Sequence, residues 1–178
     1  MNVLVLVGST RPDSFNAQLA DAAVAALPEG VAVERFDRLH ELPFYSEDGE
    51  TNPPAAVEEL RDAIRRADAL VVVTPEFNAS VPAQLKNAID WASRPYDASS
   101  ISGKRAAVLA ATPTPGGAAS AREHLVAILA RARALPLETT VGVAGAHEAF
   151  VSGELADPSY ASAVESLIIE LVGDSVPA

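Results

Sequence analysis

Two nearly unbroken aliphatic runs, at residues 3–7 and 69–73, constrain this chain more than any other feature. Each is too short for a good helix and neither alternates. Continuous Val/Leu runs of this length suit strands buried on both faces, as in a parallel sheet covered by helices. A third run at 106–111 and a weaker one at 140–144 extend the series. Residues 31–36 are broken by Glu34 and Arg35 and fit a strand nearer the sheet edge.

Helix-like segments separate the runs. Residues 15–27 are rich in Ala and Leu, and 54–67 space Val57, Leu60, Ile64 and Ala67 three or four apart. Leu85, Ile89 and Ala92 form a stripe within 82–93; Leu125, Ile128 and Leu129 do so within 119–134, and Val164, Leu167, Ile168 and Leu171 within 160–172. Strand and helix therefore alternate five times. The pattern predicts an α/β fold: one domain over residues 1–178, with a five-stranded parallel sheet in the order 2-1-3-4-5 between helical layers. Glu58, Glu59, Asp62, Arg61, Arg65 and Arg66 are expected on a solvated helix face. The longest irregular pieces are 37–52, 94–103 and 146–158.

Charge and composition remove whole classes of function. The net charge is −11, which disfavours nucleic acid and anionic membrane surfaces as partners. Without cysteine there is no disulfide, thiol nucleophile or Cys-ligated metal. His40, His124 and His147 match no ligand spacing, so no metal site is expected. No apolar stretch reaches the ~20 residues that span a bilayer, and the N-terminus lacks signal-peptide features, so the expectation is a cytoplasmic protein.

In an open parallel sheet, ligands bind beyond the carboxyl ends of the strands at the switch point. Three loops feed that edge. The first, 8–16, is neither a dinucleotide loop nor a Walker loop. It places Ser9, Thr10, Arg11, Ser14 and Asn16 at a helix N-terminus, where free N–H groups attract anions. A terminal phosphate monoester suits it; a plain turn with Ser14 as N-cap is the competing reading, and Asp13 favours the turn. The second loop, 74–82, is stiffened by Pro75 and Pro82 and carries Glu76, Phe77, Asn78 and Ser80. It could hydrogen-bond the edge of a flat heterocycle; a helix entry capped by Ser80 is expected in either case. The third, 112–117, with Thr112 followed by alternating prolines and two glycines, reads equally as a ligand approach or a turn.

Gly8-Ser9-Thr10-Arg11 with Ser14 and Asn16, then Pro75-Glu76-Phe77-Asn78-Ala79-Ser80-Val81-Pro82 and Leu85-Lys86-Asn87-Ala88-Ile89-Asp90-Trp91, resemble the NAD(P)H-dependent FMN reductases. That flavodoxin-like group includes chromate, quinone and azo-dye reductases. The resemblance implies a flavodoxin-like three-layer sandwich with FMN as cofactor and NADPH or NADH as co-substrate. It makes Ser9, Arg11, Ser14, Phe15 (through its backbone) and Asn16 the phosphate clamp. It lays Pro75, Glu76, Phe77 and Asn78 along the isoalloxazine, mostly through backbone, and closes the site near Thr112. It further implies a homodimer or homotetramer. The chain departs from the group with Phe77 where Tyr is usual, Ala79 where Gly is frequent, and prolines in 112–120.

On this reading hydride passes from the nicotinamide to bound FMN and on to a small-molecule acceptor: free flavin, quinone, azo compound or metal oxyanion. Both substrates share one open flavin face, and no catalytic side chain is required. The alternative is a flavodoxin-type FMN electron carrier without reductase activity of its own. Tyr45 and Tyr96 would rim the pocket or a dimer contact, and Trp91 is expected in a core or an interface.

Overall fold

A computed structural model describes residues 1–173. The expected domain ran to Ala178, so residues 174–178 lie outside the described residues. The elements are β1 (Asn2–Val7), α1 (Phe15–Ala25), β2 (Ala32–Arg35), α2 (Ala55–Arg66), β3 (Ala69–Val73), α3 (Ala83–Ala92), β4 (Arg105–Ala111), α4 (Ala119–Arg131) and β5 (Leu135–Val143), then α5 (Ala146–Ala149), β6 (Phe150–Val151), β7 (Glu154–Leu155) and α6 (Pro158–Val172). The main sheet has the order β2-β1-β3-β4-β5 with parallel pairings throughout, as expected.

Strand position explains strand composition. Every residue of β3, the central strand, is buried, and β4 is buried from Ala106 onward. Edge strand β2 is exposed along its length, which is why it tolerates Glu34 and Arg35. One face of the sheet carries α2, α3 and α4 around Leu60, Ile64, Leu85, Trp91 and Leu125. The other carries α1 and α6 around Leu19, Ala23, Val164 and Ile168.

Three expectations are corrected. The stretch 146–158, read as a loop, contains α5 and the β6–β7 hairpin; two-residue strands are too short to show a period. Arg61 is not on a solvated face: it is 2% exposed. Residues 57, 60, 61 and 64 follow the i, i+3, i+4, i+7 spacing of a single helix face, so position outweighs charge type. The Arg61 Nε donates to the Trp91 carbonyl at 3.2 Å, and Nη1 to Glu58 at 2.6 Å. Finally, Ser80 does not cap α3, whose N-cap position is Pro82 with no side-chain bond.

Trp91 and Asn87 order the long irregular piece 37–52 rather than a ligand. The Trp91 indole N–H donates to the Pro43 carbonyl at 2.8 Å, and the Asn87 amide donates to the same oxygen at 2.9 Å while accepting from Tyr45 N–H at 2.8 Å. Tyr45 meets Trp91 edge-on at 5.1 Å. Its hydroxyl bonds to Glu50, and holding that proton raises the phenol pKa above its usual value.

Candidate functional site at the carboxyl edge of the sheet

The three loops meet beyond the ends of β1, β3 and β4. Gly8 N–H donates to the Val73 carbonyl at 2.8 Å, and the Gly8 carbonyl accepts from the Gln84 side chain at 2.8 Å. A Cβ at Gly8 would stand 3.3 Å from Pro75 and 3.4 Å from Pro82, so the first loop packs against the second. Asn16 ties the first loop to the third. Its amide donates to the Ala111 carbonyl and its oxygen accepts from the Ala111 N–H, each at 2.9 Å. Thr112 follows directly, its hydroxyl 2.9 Å from that of Thr114.

Within the first loop, Ser14 caps α1, accepting from Ala17 N–H at 3.1 Å. This agrees with the turn reading and leaves the hydroxyl proton free. The N–H groups of Phe15 and Asn16 belong to the first helical turn and have no intrahelical acceptor. Arg11 is exposed and has no ion pair among the described residues. The Phe15 ring stacks on Phe150 at 5.9 Å. The Asn16 side chain is buried, and its bonds to Ala111 use the amide oxygen and one of its two N–H donors.

The second loop folds back on itself. Phe77 N–H donates to the Ser80 carbonyl at 2.9 Å and Ser80 N–H to the Phe77 carbonyl at 3.1 Å. Between them Asn78 and Ala79 have φ of 51° and 60°, a two-residue turn with both residues left-handed. Pro75 is buried, while Phe77 is 57% exposed at the tip. Glu76 reaches to α4, its carboxylate accepting from Ala121 N–H at 3.0 Å. The N-cap position of that helix is Ala118, a left-handed residue without a side-chain cap, so Glu76 satisfies one of the helix's open N–H groups from outside. The third loop crosses the end of β5 by a close backbone approach. A Cβ at Gly117 would lie 2.9 Å from the Gly142 carbonyl, which with a φ of 55° explains glycine there.

The comparisons with known proteins agree with this architecture. The family model for NADPH-dependent FMN reductase matches residues 1–148. The chain belongs to the NADPH-dependent FMN reductase family. It is an FMN-dependent NAD(P)H oxidoreductase with the flavodoxin-like sheet order. Among its relatives are a 2-hydroxy-1,4-benzoquinone reductase of Burkholderia sp, 40% identical over 73% of this chain and 70% of the relative. An NAD(P)H-dependent FMN reductase of Pseudomonas aeruginosa is 41% identical over 88% of this chain and 85% of the relative. The solved structure of FerB, a flavoenzyme NAD(P)H:(acceptor) oxidoreductase from Paracoccus denitrificans, aligns with a TM-score of 0.87 at 32% identity. That match covers 96% of this chain and 94% of FerB.

The residues present in this FMN reductase fit the cofactor. An open helix start, two hydroxyls and one unpaired guanidinium suit a phosphate ester, and the stiff hairpin offers backbone groups to a flat ring. Composition pointed to the three loops, but three side chains that hold them together escaped it: Gln84, Arg122 and His124. Gln84 grips Gly8, Arg122 donates to the Gly117 carbonyl at 3.0 Å, and the His124 Nδ1 lies 2.8 Å from the Ser80 hydroxyl. None stands in a local pattern that marks such a role.

No helix among the described residues is long and apolar enough to cross a membrane. Among the described residues no cluster of three or more His, Asp or Glu could hold a metal ion.

Proposed function

We propose that this reductase holds FMN in the cradle between loops 8–16, 74–82 and 112–117 and delivers electrons from NADPH or NADH to quinones. Ser9, Arg11 and the Ser14 hydroxyl, with the N–H groups of Phe15 and Asn16, hold the phosphate. Backbone of Pro75, Glu76, Phe77 and Asn78 lines the isoalloxazine, and Thr112 closes the third side. FMN held there would supply the redox chemistry, a hydride in from the nicotinamide and a hydride out to the quinone, with solvent furnishing the second proton of the hydroquinone. The chain's own part is to bind, orient and leave one face accessible to both substrates in turn; no side chain need move a proton.

One observation carries the reading most directly. In a chain of net charge −11, Arg11 stands exposed and unpaired among the described residues, three residues before the cap of α1 and its open N–H groups. The quinone preference draws on the benzoquinone reductase relative. The carrier alternative calls for aromatic shielding on both flavin faces. Phe15 is engaged by Phe150, which leaves Phe77 as the sole exposed ring of the three loops. The protein is further proposed to act in the cytoplasm as a homodimer or homotetramer.

The test is direct. Protein soaked in FMN and desalted is expected to stay yellow and to oxidise NADPH or NADH with benzoquinone present. Parallel initial-rate lines are expected as both substrates are varied. A colourless sample removes the flavin reading, and a yellow one that oxidises neither nicotinamide with quinone, free flavin or azo dye favours the carrier.

A further inference from the structure

The hairpin at 77–80 projects from the sheet edge with two consecutive left-handed residues and only one pair of internal backbone bonds. What fixes its direction lies outside it. Glu76, at its base, accepts from Ala121 N–H at 3.0 Å, and Ser80, at its end, meets His124 Nδ1 at 2.8 Å. Both contacts fall on the start of α4, three residues apart and so on one helix face. They hold the two ends of the hairpin to a single rigid body. The Ser80 hydroxyl is available for this because α3 makes no use of it as a cap. His124 has no other side-chain hydrogen bond among the described residues.

We propose that His124 is a positioning residue: through Ser80 it fixes the 77–80 hairpin against α4 and so sets how Phe77 and Asn78 face the flavin and incoming substrate. The inference rests on the cradle reading above, which places this hairpin at the isoalloxazine. Histidine suits the task. Its Nδ1 serves as donor or acceptor according to tautomer, so it pairs with a hydroxyl in either sense. Its ring is stiff enough to span the gap from α4 to the hairpin at low entropic cost. Removing it leaves Glu76 as the remaining link to the helix and frees the hairpin's far end.

The experiment compares FMN-loaded wild type with His124→Leu, Ser80→Ala, the double variant and His124→Asn, whose side chain keeps a polar atom near the former Nδ1. Both residues lie at or near the surface, so the variants are expected to fold and to take up FMN at wild-type stoichiometry. KM for NADPH and for benzoquinone is expected to rise about 3–10-fold in His124→Leu, the size of one neutral hydrogen bond, while kcat changes little. The visible circular dichroism of the bound flavin should change with it. Ser80→Ala should match His124→Leu, and the double variant should be no worse than either. His124→Asn should restore KM and spectrum. A His124→Leu enzyme with unaltered KM and flavin spectrum overturns the inference and leaves the cradle standing; so do additive effects in the double variant. Should His124→Leu fail to fold, Ser80→Ala alone decides the matter by the same readouts. Wild-type protein that takes up no FMN overturns the cradle and this inference together.

Discussion

The loop after β1 and the loop after β3 border the same cradle and are built on opposite principles. The first is tied at its ends, at Gly8 and Asn16, and its middle residues Thr10, Arg11 and Asp13 are exposed. The second has its polar groups engaged nearly throughout: Thr74 with the Pro75 carbonyl, Phe77 with Ser80, Glu76 and Ser80 with α4. One end of the cradle keeps charge and N–H groups open for something that arrives; the other fixes its own shape. Affinity should therefore reside at the first and the geometry of electron transfer at the second. Substitutions should separate the two.

The strongest challenge is Asn16→Leu. It keeps the volume but strands both backbone groups of Ala111 in a buried place, so stability should fall by about 2–4 kcal/mol in urea unfolding. A loss under about 1 kcal/mol would show that water replaces the amide and that the first loop is not anchored there. Arg11→Ala comes next and acts on binding alone. FMN affinity should drop about 10–100-fold, the worth of a charge-assisted hydrogen bond, while riboflavin affinity moves by less than about 3-fold. Equal losses for the two ligands would erase the division of labour between the loops.

The division itself was only half legible in the residues. Strands β1, β3 and β4 announce themselves because burial on both faces leaves them unbroken apolar runs. Loop 8–16 announces itself because a ligand-facing loop keeps unusual polar residues in one short stretch. The hairpin's supports leave no such trace. Glu76 finds Ala121, and Ser80 finds His124, across separations of 45 and 44 residues. Only tertiary packing brings them together, and Ser80 before Pro82 imitates a local cap. The anchoring role of the Asn16 side chain is hidden for the same reason: its partners are the N–H and carbonyl of Ala111 on β4, which a local reading cannot supply. Arg61 misleads through residue type, since charge suggested solvent while its place in the helical stripe put it under Trp91.

A smaller effect tests the second loop from its base. Glu76→Ala leaves the start of α4 without its outside acceptor and should cost about 1 kcal/mol, as other helix caps do. FMN affinity should change little, because the phosphate end is untouched. A Glu76 variant that loses FMN as badly as Arg11→Ala would place ligand affinity in the second loop as well, against the comparison drawn above.

The smallest effect concerns the hairpin tip. Asn78 and Ala79 both sit at positive φ, but they do not tolerate it equally. Asn adopts the left-handed region with little penalty, whereas the Cβ of Ala crowds a carbonyl there at roughly 1–2 kcal/mol. Glycine removes that strain yet gives up about 0.5–1 kcal/mol in chain entropy. Ala79→Gly should therefore stabilise the protein by about 0.5–1 kcal/mol, and Asn78→Gly should give no gain. The contrast between the two neighbours is the informative quantity, since glycine loosens the unfolded chain by the same amount at both. A gain at 79 alone means the supports from α4 hold an alanine in a conformation it would otherwise leave. Equal responses at 78 and 79 would mean the tip is free to relax, and a tip that relaxes cannot be the rigid side of the cradle.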